Sequence, residues 1–231
     1  MSCVAIITAR GGSKRIPRKN IRSFLGTPII AYSVKAALNS GCFDEVMVST
    51  DDAEIAAVAE KYGAKIPFTR SAATSDDHAT TVEVIWEVLK EYQKNGKSFD
   101  YCCCLYPTAP FVTAEKLQKA FELLKNTGAE SVLPVTAFSF PILRSFKIEN
   151  DLLKMNWPEY MNSRSQDLPP SYHDSGQFYF LKTSTVFEKK KLFTDLTFPI
   201  IVPESEVQDI DNEEDWKIAE LKYSKMNTIN L

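Results

Sequence analysis

The chain has 231 residues, 44% of them hydrophobic, and a formal charge of −3, which suffices for one sizeable core. No run approaches the roughly 20 apolar residues of a membrane span, and the N-terminus lacks the long apolar segment and small-residue cleavage site of a secretory leader, so a cytoplasmic protein is expected. His78 and His173 are the only histidines, which argues against a histidine metal site or a Ser-His-Asp nucleophile and leaves oxygen ligands for any metal.

An apolar, partly β-branched run at 3–8 predicts a strand, followed by a Gly-containing basic loop at 9–20 and a helical period over 28–39. The order then repeats: strand 45–49, helix 53–62 ended by Gly63, strand 65–68, helix 81–93, strand 101–106, helix 114–125, strand 131–135. Such alternation predicts an α/β sandwich with a mainly parallel sheet and ligands beyond the carboxyl ends of the strands. Residues 138–173, with Pro141, Pro158, Pro169 and Pro170 among aromatics, show no clear period and read as an excursion from the sheet. Regular structure resumes with strand 177–182, a short helix at 184–189, strand 198–202 and a last helix over about 213–222. Cys102, Cys103 and Cys104 lie in one predicted strand, so neighbouring thiols point to opposite faces and should be buried and free rather than a zinc site.

Charge is divided unevenly. Residues 1–43 carry seven basic residues and no acid, whereas 204–215 hold seven acids and no Lys or Arg. In the loop Ala9-Arg10-Gly11-Gly12-Ser13-Lys14-Arg15-Ile16-Pro17-Arg18-Lys19-Asn20, Gly11 and Gly12 let backbone N–H groups approach an anion, Ser13 adds a hydroxyl, and Arg10, Lys14 and Lys19 supply charge. A polyphosphate is the ligand this pattern suits, although it is neither a Walker loop nor G-x-G-x-x-G. The alternative is a solvated or nucleic-acid-binding basic patch. The lack of interleaved aromatics and the net acidity argue against nucleic acid.

At the other end, Asn212 followed three residues later by Asp215 reads as a capping box, with Glu213 and Glu214 on the positive end of the helix dipole. Asp209 and Asp211 precede the helix, where an extended i, i+2 pair would place both carboxylates on one side to grip Mg2+; the alternative makes Asp211 the cap and Asp209 merely solvated. Asp51 and Asp52, at another strand end, could approach a ligand or cap the next helix.

Together these residues resemble the CMP–acylneuraminate cytidylyltransferases. The match is ordered along nearly the whole chain: Ala9-Arg10, Ser13-Lys14, Pro17, Lys19-Asn20, Ser49-Thr50-Asp51, Pro67 to Arg70, Pro107-Thr108-Ala109-Pro110, Asp174-Ser175-Gly176 and Asp209-Ile210-Asp211. The resemblance implies a Rossmann-like α/β fold of the nucleotide-diphosphosugar transferase type, one domain over 1–231 with about 138–173 as a dimerisation insertion, a homodimer, and Mg2+ as cofactor. The implied reaction moves CMP from CTP to the anomeric hydroxyl of an acidic nine-carbon sugar and releases pyrophosphate. By position, Arg10, Ser13, Lys14 and Lys19 correspond to triphosphate contacts, Asn20 and Arg70 to nucleotide contacts, and Asp209 and Asp211 to metal ligands. Arg164 corresponds to a basic residue that reads the sugar carboxylate, with Lys147 or Arg144 in support.

One departure bears on the sugar. Sialic acid enzymes typically carry Gln-Pro-Thr-Ser-Pro-Leu-Arg where this chain has Tyr106-Pro107-Thr108-Ala109-Pro110-Phe111-Val112. Tyr106, with Tyr172 to Tyr179, resembles the pseudaminic acid branch, whose less hydroxylated sugar suits a more apolar pocket; Tyr106 as plain core is the alternative. Legionaminate, sialate and Kdo activation are the rival substrates, and a non-catalytic sugar-nucleotide-binding protein is the rival outside enzymes.

Overall fold

The computed structural model describes residues 1–229. Its elements run β1 (Cys3–Thr8), β2 (Ser23–Phe24), β3 (Thr27–Pro28), α1 (Ile30–Ser40), β4 (Glu45–Ser49), α2 (Ala53–Lys61), α3 (Ala72–Ser75), α4 (Thr81–Lys94), β5 (Tyr101–Leu105), α5 (Ala114–Asn126) and β6 (Ser131–Ala137). There follow β7 (Phe146–Glu149), β8 (Leu152–Met155), β9 (Tyr172–Asp174), β10 (Phe178–Lys182), α6 (Thr183–Lys189), β11 (Thr197–Ile201) and α7 (Glu213–Ile229). The central sheet has the order β11-β6-β10-β5-β1-β4, with β9 also paired to β6. Only β9 and β10 run against the others, so the sheet is mainly parallel, as expected.

Alternation along the strands sorts side chains to two faces. Ala5, Ile7 and Cys103 pack with Val34 of α1 and Leu117 and Phe121 of α5, whereas Val4, Ile6, Cys102 and Cys104 pack with Ile85 and Leu89 of α4 and Val186 of α6. All three cysteines are buried and free, and burial pushes their thiols up, which leaves them inert.

A third cluster matters more for the site. Ile16 from the basic loop, Phe24, Ile29, Phe111, and Ile210, Trp216 and Ala219 from the acidic end are all buried together. Each of Ile16, Phe24, Phe111 and Ile210 contributes about 1.5–3 kcal/mol of burial, and Phe24 meets Trp216 edge to face at 5.7 Å between ring centres. This packing fastens residues 191 positions apart, so that Lys19 Nζ donates to the Ile210 carbonyl at 2.6 Å.

The structure corrects three boundaries. The strand expected at 65–68 is a single parallel bridge between Met47 and Lys65. Lys65 exchanges hydrogen bonds with Val46 and Val48, then Pro67, which has no N–H, interrupts the ladder until Arg70 donates to the Thr50 carbonyl at 2.9 Å. Residues 138–173 are not wholly irregular: β7 and β8 form a hairpin whose turn residues Asn150 and Asp151 have φ of 53° and 61°, a two-residue loop of the primed type. The last helix continues past Lys222 to Ile229. Among the described residues no helix is long and apolar enough to cross a membrane.

Candidate active site

Past the carboxyl ends of β1, β4 and β5 the connecting loops leave open clefts, the usual ligand position in such sheets. The basic loop that borders them is held from both sides. The Gly11 N–H donates to Asp51 Oδ1 at 2.8 Å, Ser13 Oγ donates to the Ile16 carbonyl at 2.7 Å, and the buried Asn20 amide donates to the Arg10 carbonyl at 2.9 Å. Asp52 caps α2 by accepting from the N–H groups of Glu54 and Ile55, and it pairs with both outer nitrogens of Arg18. The Arg18 guanidinium and those backbone donors hold the Asp52 carboxyl down at about 2. Its contribution to stability is therefore present above the ordinary carboxylate pKa and is lost as pH falls toward 2.

This arrangement explains Gly11. A Cβ there would lie 2.8 Å from Asp52 Oδ2 and 3.0 Å from Asp52 Cβ, and Asp52 is fixed by its cap and its arginine. Gly11→Ala is expected to cost about 1–3 kcal/mol, read as a Tm lower by several degrees. Gly12→Ala, where nothing lies within 4 Å of the added atom, should leave Tm unchanged.

The first cleft, about 430 Å³, is lined by Arg10, Ser13, Lys14, Arg15, Lys19 and Asn20 together with Asp77 and Tyr106. Thus most of the loop residues singled out in the sequence converge on one volume; Gly11 and Gly12 support it without lining it. Asp77 bridges the cations: it accepts from Arg10 Nη1 at 2.6 Å and from Lys14 Nζ, while Arg10 also donates to the Asp76 carbonyl at 2.9 Å. Lys14 and then Arg10 hold the Asp77 carboxyl below the usual range.

A smaller recess of about 180 Å³ shares Thr8, Arg10 and Asp77 with that cleft and reaches Arg70. Arg70 is 6% exposed, its Nε donates to Ser49 Oγ at 3.0 Å, and its Nη2 has no hydrogen-bond partner. Burial pulls its guanidinium below the ordinary value. An unpaired buried donor costs about 1–3 kcal/mol, so a polar ligand group there would be favoured.

The second cleft, about 520 Å³, is lined by Asp174, Tyr179, Asp209, Lys222 and, again, Tyr106. Tyr106 thus stands between the two volumes, its hydroxyl 3.1 Å from Thr81 Oγ1 and its ring edge to face with Tyr179 at 5.6 Å. Asp174 accepts from the Tyr179 hydroxyl at 2.5 Å and the Gly176 N–H at 2.9 Å, which fixes this wall. His173 is exposed, with Nδ1 2.9 Å from the Asp174 carbonyl.

At the acidic end, Asn212 Oδ1 accepts from the N–H groups of Glu214 and Asp215, and Asp215 accepts from those of Asp211 and Asn212. The capping box is therefore Asn212 with Asp215, and the Asp211 carboxylate takes no part in it. Asp211 Oδ1 instead lies 2.7 Å from Arg15 and 4.0 Å from Lys19. Burial, then the like charge of Asp211, pushes the Asp209 carboxyl up. Two neighbouring carboxylates, one part-buried and destabilised in its charged form, suit a hard divalent cation. No group of three or more His, Cys, Asp or Glu among the described residues forms a closed metal cage, so further ligands would come from substrate and water.

Lys147 and Arg164 are not brought to these clefts. Lys147 lies on the β7–β8 hairpin paired with Glu149 at 2.6 Å, and Arg164 pairs with Asp167 at 2.7 Å, both exposed. Sequence reasoning missed Asp77, Arg15 and Lys222. For Asp77 the signal was faint: two acids before the Thr80–Glu83 capping box, 63 and 67 residues from the cations they meet.

A basic loop after the first strand lines one cleft, Asp209 ahead of the last helix lines the adjoining one, and Arg15 and Lys19 of the loop reach Asp211, an arrangement that suits a nucleotidyltransferase. Residues 4–227 match the family described as Cytidylyltransferase, and the chain belongs to that family. It is 43% identical over 224 residues, 96% of its own length and 97% of the other's, to a pseudaminic acid cytidylyltransferase of Campylobacter jejuni. It is 36% identical to the CMP-N,N'-diacetyllegionaminic acid synthase of Legionella pneumophila, covering 98% of both chains. A solved CMP:2-keto-3-deoxy-manno-octonic acid synthetase complexed with CTP shares the fold, with a TM-score of 0.72 at 16% identity over 98% of this chain and all of that one.

Proposed function

We propose that this enzyme transfers CMP from CTP to the anomeric hydroxyl of pseudaminic acid, giving the CMP-sugar and pyrophosphate. The carrying observation is the 43% identity to a pseudaminic acid cytidylyltransferase over 96% of this chain and 97% of that one, and two adjoining clefts that share Tyr106 give the reading its geometry. In this reading CTP takes the first cleft and the sugar the second. Arg10, Lys14 and Lys19, with Arg15, offset the triphosphate charge, the Gly11-Gly12-Ser13 turn holds the loop in shape through its bonds to Asp51 and Ile16, and Asn20 and Arg70 hold the nucleoside end. The anomeric oxygen forms a bond to the α-phosphorus, the bond from that phosphorus to the bridging oxygen breaks, the hydroxyl proton passes to solvent, and the electron pair leaves on pyrophosphate. Asp209 and Asp211 would hold Mg2+, which supplies charge neutralisation at the phosphates when bound. Positioning and fixed charge, rather than a general base, supply the catalysis.

We read residues 1–231 as a single domain carrying an insertion at about 138–173. Phe140, Ile148, Leu152 and Leu153 in that segment are 63–83% exposed, and this apolar surface supports a homodimer made through it. Lys147 and Arg164 would then act from the partner's insertion. A cytoplasmic location suits an enzyme that draws on CTP.

The test is pyrophosphate release with CTP and Mg2+ across pseudaminic, legionaminic, N-acetylneuraminic and Kdo acids. Preference for pseudaminate is expected; preference for another acid overturns the substrate. Because Asp77 occupies the cations assigned to triphosphate, Asp77→Asn should lower the KM for CTP by about 2- to 10-fold with kcat little changed, since the binding-competent state is freed. An unchanged or raised KM would show that Asp77 does not compete with the phosphates.

A further inference from the structure

Lys222 is a half-buried lysine on the wall of the second cleft. Its Nζ donates to the carbonyls of Val207, at 2.7 Å, and Glu204, at 3.3 Å, and no carboxylate stands within ion-pair distance of it among the described residues. The other basic candidates for this cleft differ: Lys147 and Arg164 are each neutralised by an acid in the insertion. A part-desolvated ammonium faced only by neutral carbonyls is poised for an anion. Of the three acids that line the same cleft, Asp209 is the one assigned above to the divalent cation, and the other two are committed elsewhere. Asp174 is taken by Tyr179 and Gly176, and Glu204 accepts from Ser139 Oγ at 2.8 Å. The turn at 204–207 is braced independently, by Lys116 on Glu206 at 2.6 Å and by the Gln177 amide on the Glu206 carbonyl at 2.6 Å. Lys222 is therefore not needed as that turn's sole support.

We propose that Lys222 is a specificity-determining residue that binds the carboxylate of the acidic sugar from within the same subunit. The inference rests on the substrate reading above. It assigns the cleft's own cation to the one charge that separates an acidic sugar from a neutral one.

Lys222→Gln removes the charge but keeps N–H donors for the Val207 carbonyl. Its KM for the acid should rise roughly 10- to 100-fold, the loss of one charge-assisted hydrogen bond, while the KM for CTP stays within about twofold. The wild type should prefer the free acid over its methyl ester, Lys222→Gln should lose that preference, and Lys222→Arg should keep it. An unchanged sugar KM in Lys222→Gln overturns the inference. So does a parallel rise in both KM values with the acid-over-ester preference intact, which would reduce Lys222 to a brace. A wild type that turns over no acidic sugar removes the substrate reading and this inference together, whereas turnover with an indifferent Lys222→Gln variant removes the inference alone.

Discussion

Asp209→Asn is expected to lower kcat by roughly 10²- to 10³-fold, the scale set by removing one preorganised electrostatic contact to a developing charge, and at the same time to raise the Tm of the metal-free protein. The two effects have one origin. Asp209 is part-buried and beside Asp211, so its charged form is disfavoured in the folded chain and its carboxyl pKa is raised. A raised acid pKa means that the folded state binds more protons, so stability falls as pH rises from the ordinary carboxylate value through the folded one. The isosteric amide removes that penalty along with the metal-holding charge. Pyrophosphate release at saturating CTP and sugar reads the first effect, and thermal unfolding in chelator at pH 4 and pH 7 reads the second, with the gain expected at pH 7. Retained turnover would remove Asp209 from the proposed metal site. A lower Tm at pH 7 would show that its charge is already compensated in the empty protein.

What could be read from the sequence followed the range of the interaction. Strands such as β1 and β4 and the Asn212–Asp215 cap depend on side-chain period and on groups three residues apart, and these fell where expected. The hairpin in 138–173 carried two local signals, the Asn150-Asp151 turn and the alternation Phe146-Lys147-Ile148-Glu149, but its strands are only four residues each and mostly exposed, too short for that alternation to stand out. The strand expected at 65–68 does not form because Pro67 lacks the donor that the ladder would need past the Met47–Lys65 bridge. The cations of the basic loop were legible by type, and the structure brings them to one cleft, yet Asp77, which occupies two of them, was not. Its position depends on how the loop before α4 returns over β1, a tertiary outcome that neither composition nor spacing encodes. Arg15 likewise became meaningful only once the third core cluster had drawn Asp211 to it.

Lys19 is where the two charged ends of the chain meet, and Lys19→Met should lower kcat/KM for CTP by roughly 10²-fold, the scale of one buried charge-assisted contact. Its side chain is 19% exposed, with Nζ on the Ile210 carbonyl between the two aspartates. Burial lowers its pKa, and Asp211 and Asp209 oppose that shift. The ammonium therefore serves two partners at once: it partly neutralises the acid pair, and it faces the cleft assigned to the triphosphate. Deleting it predicts opposite changes in two affinities. CTP should bind more weakly, because a phosphate partner is gone, while the bare divalent cation should bind more tightly, because the positive charge that competed for Asp211 is gone. Titration calorimetry with Mg2+ alone and with CTP alone separates them. If both affinities fell together, Lys19 would be acting as a strut for the 209–211 segment, and its charge would have no separate part in holding the nucleotide.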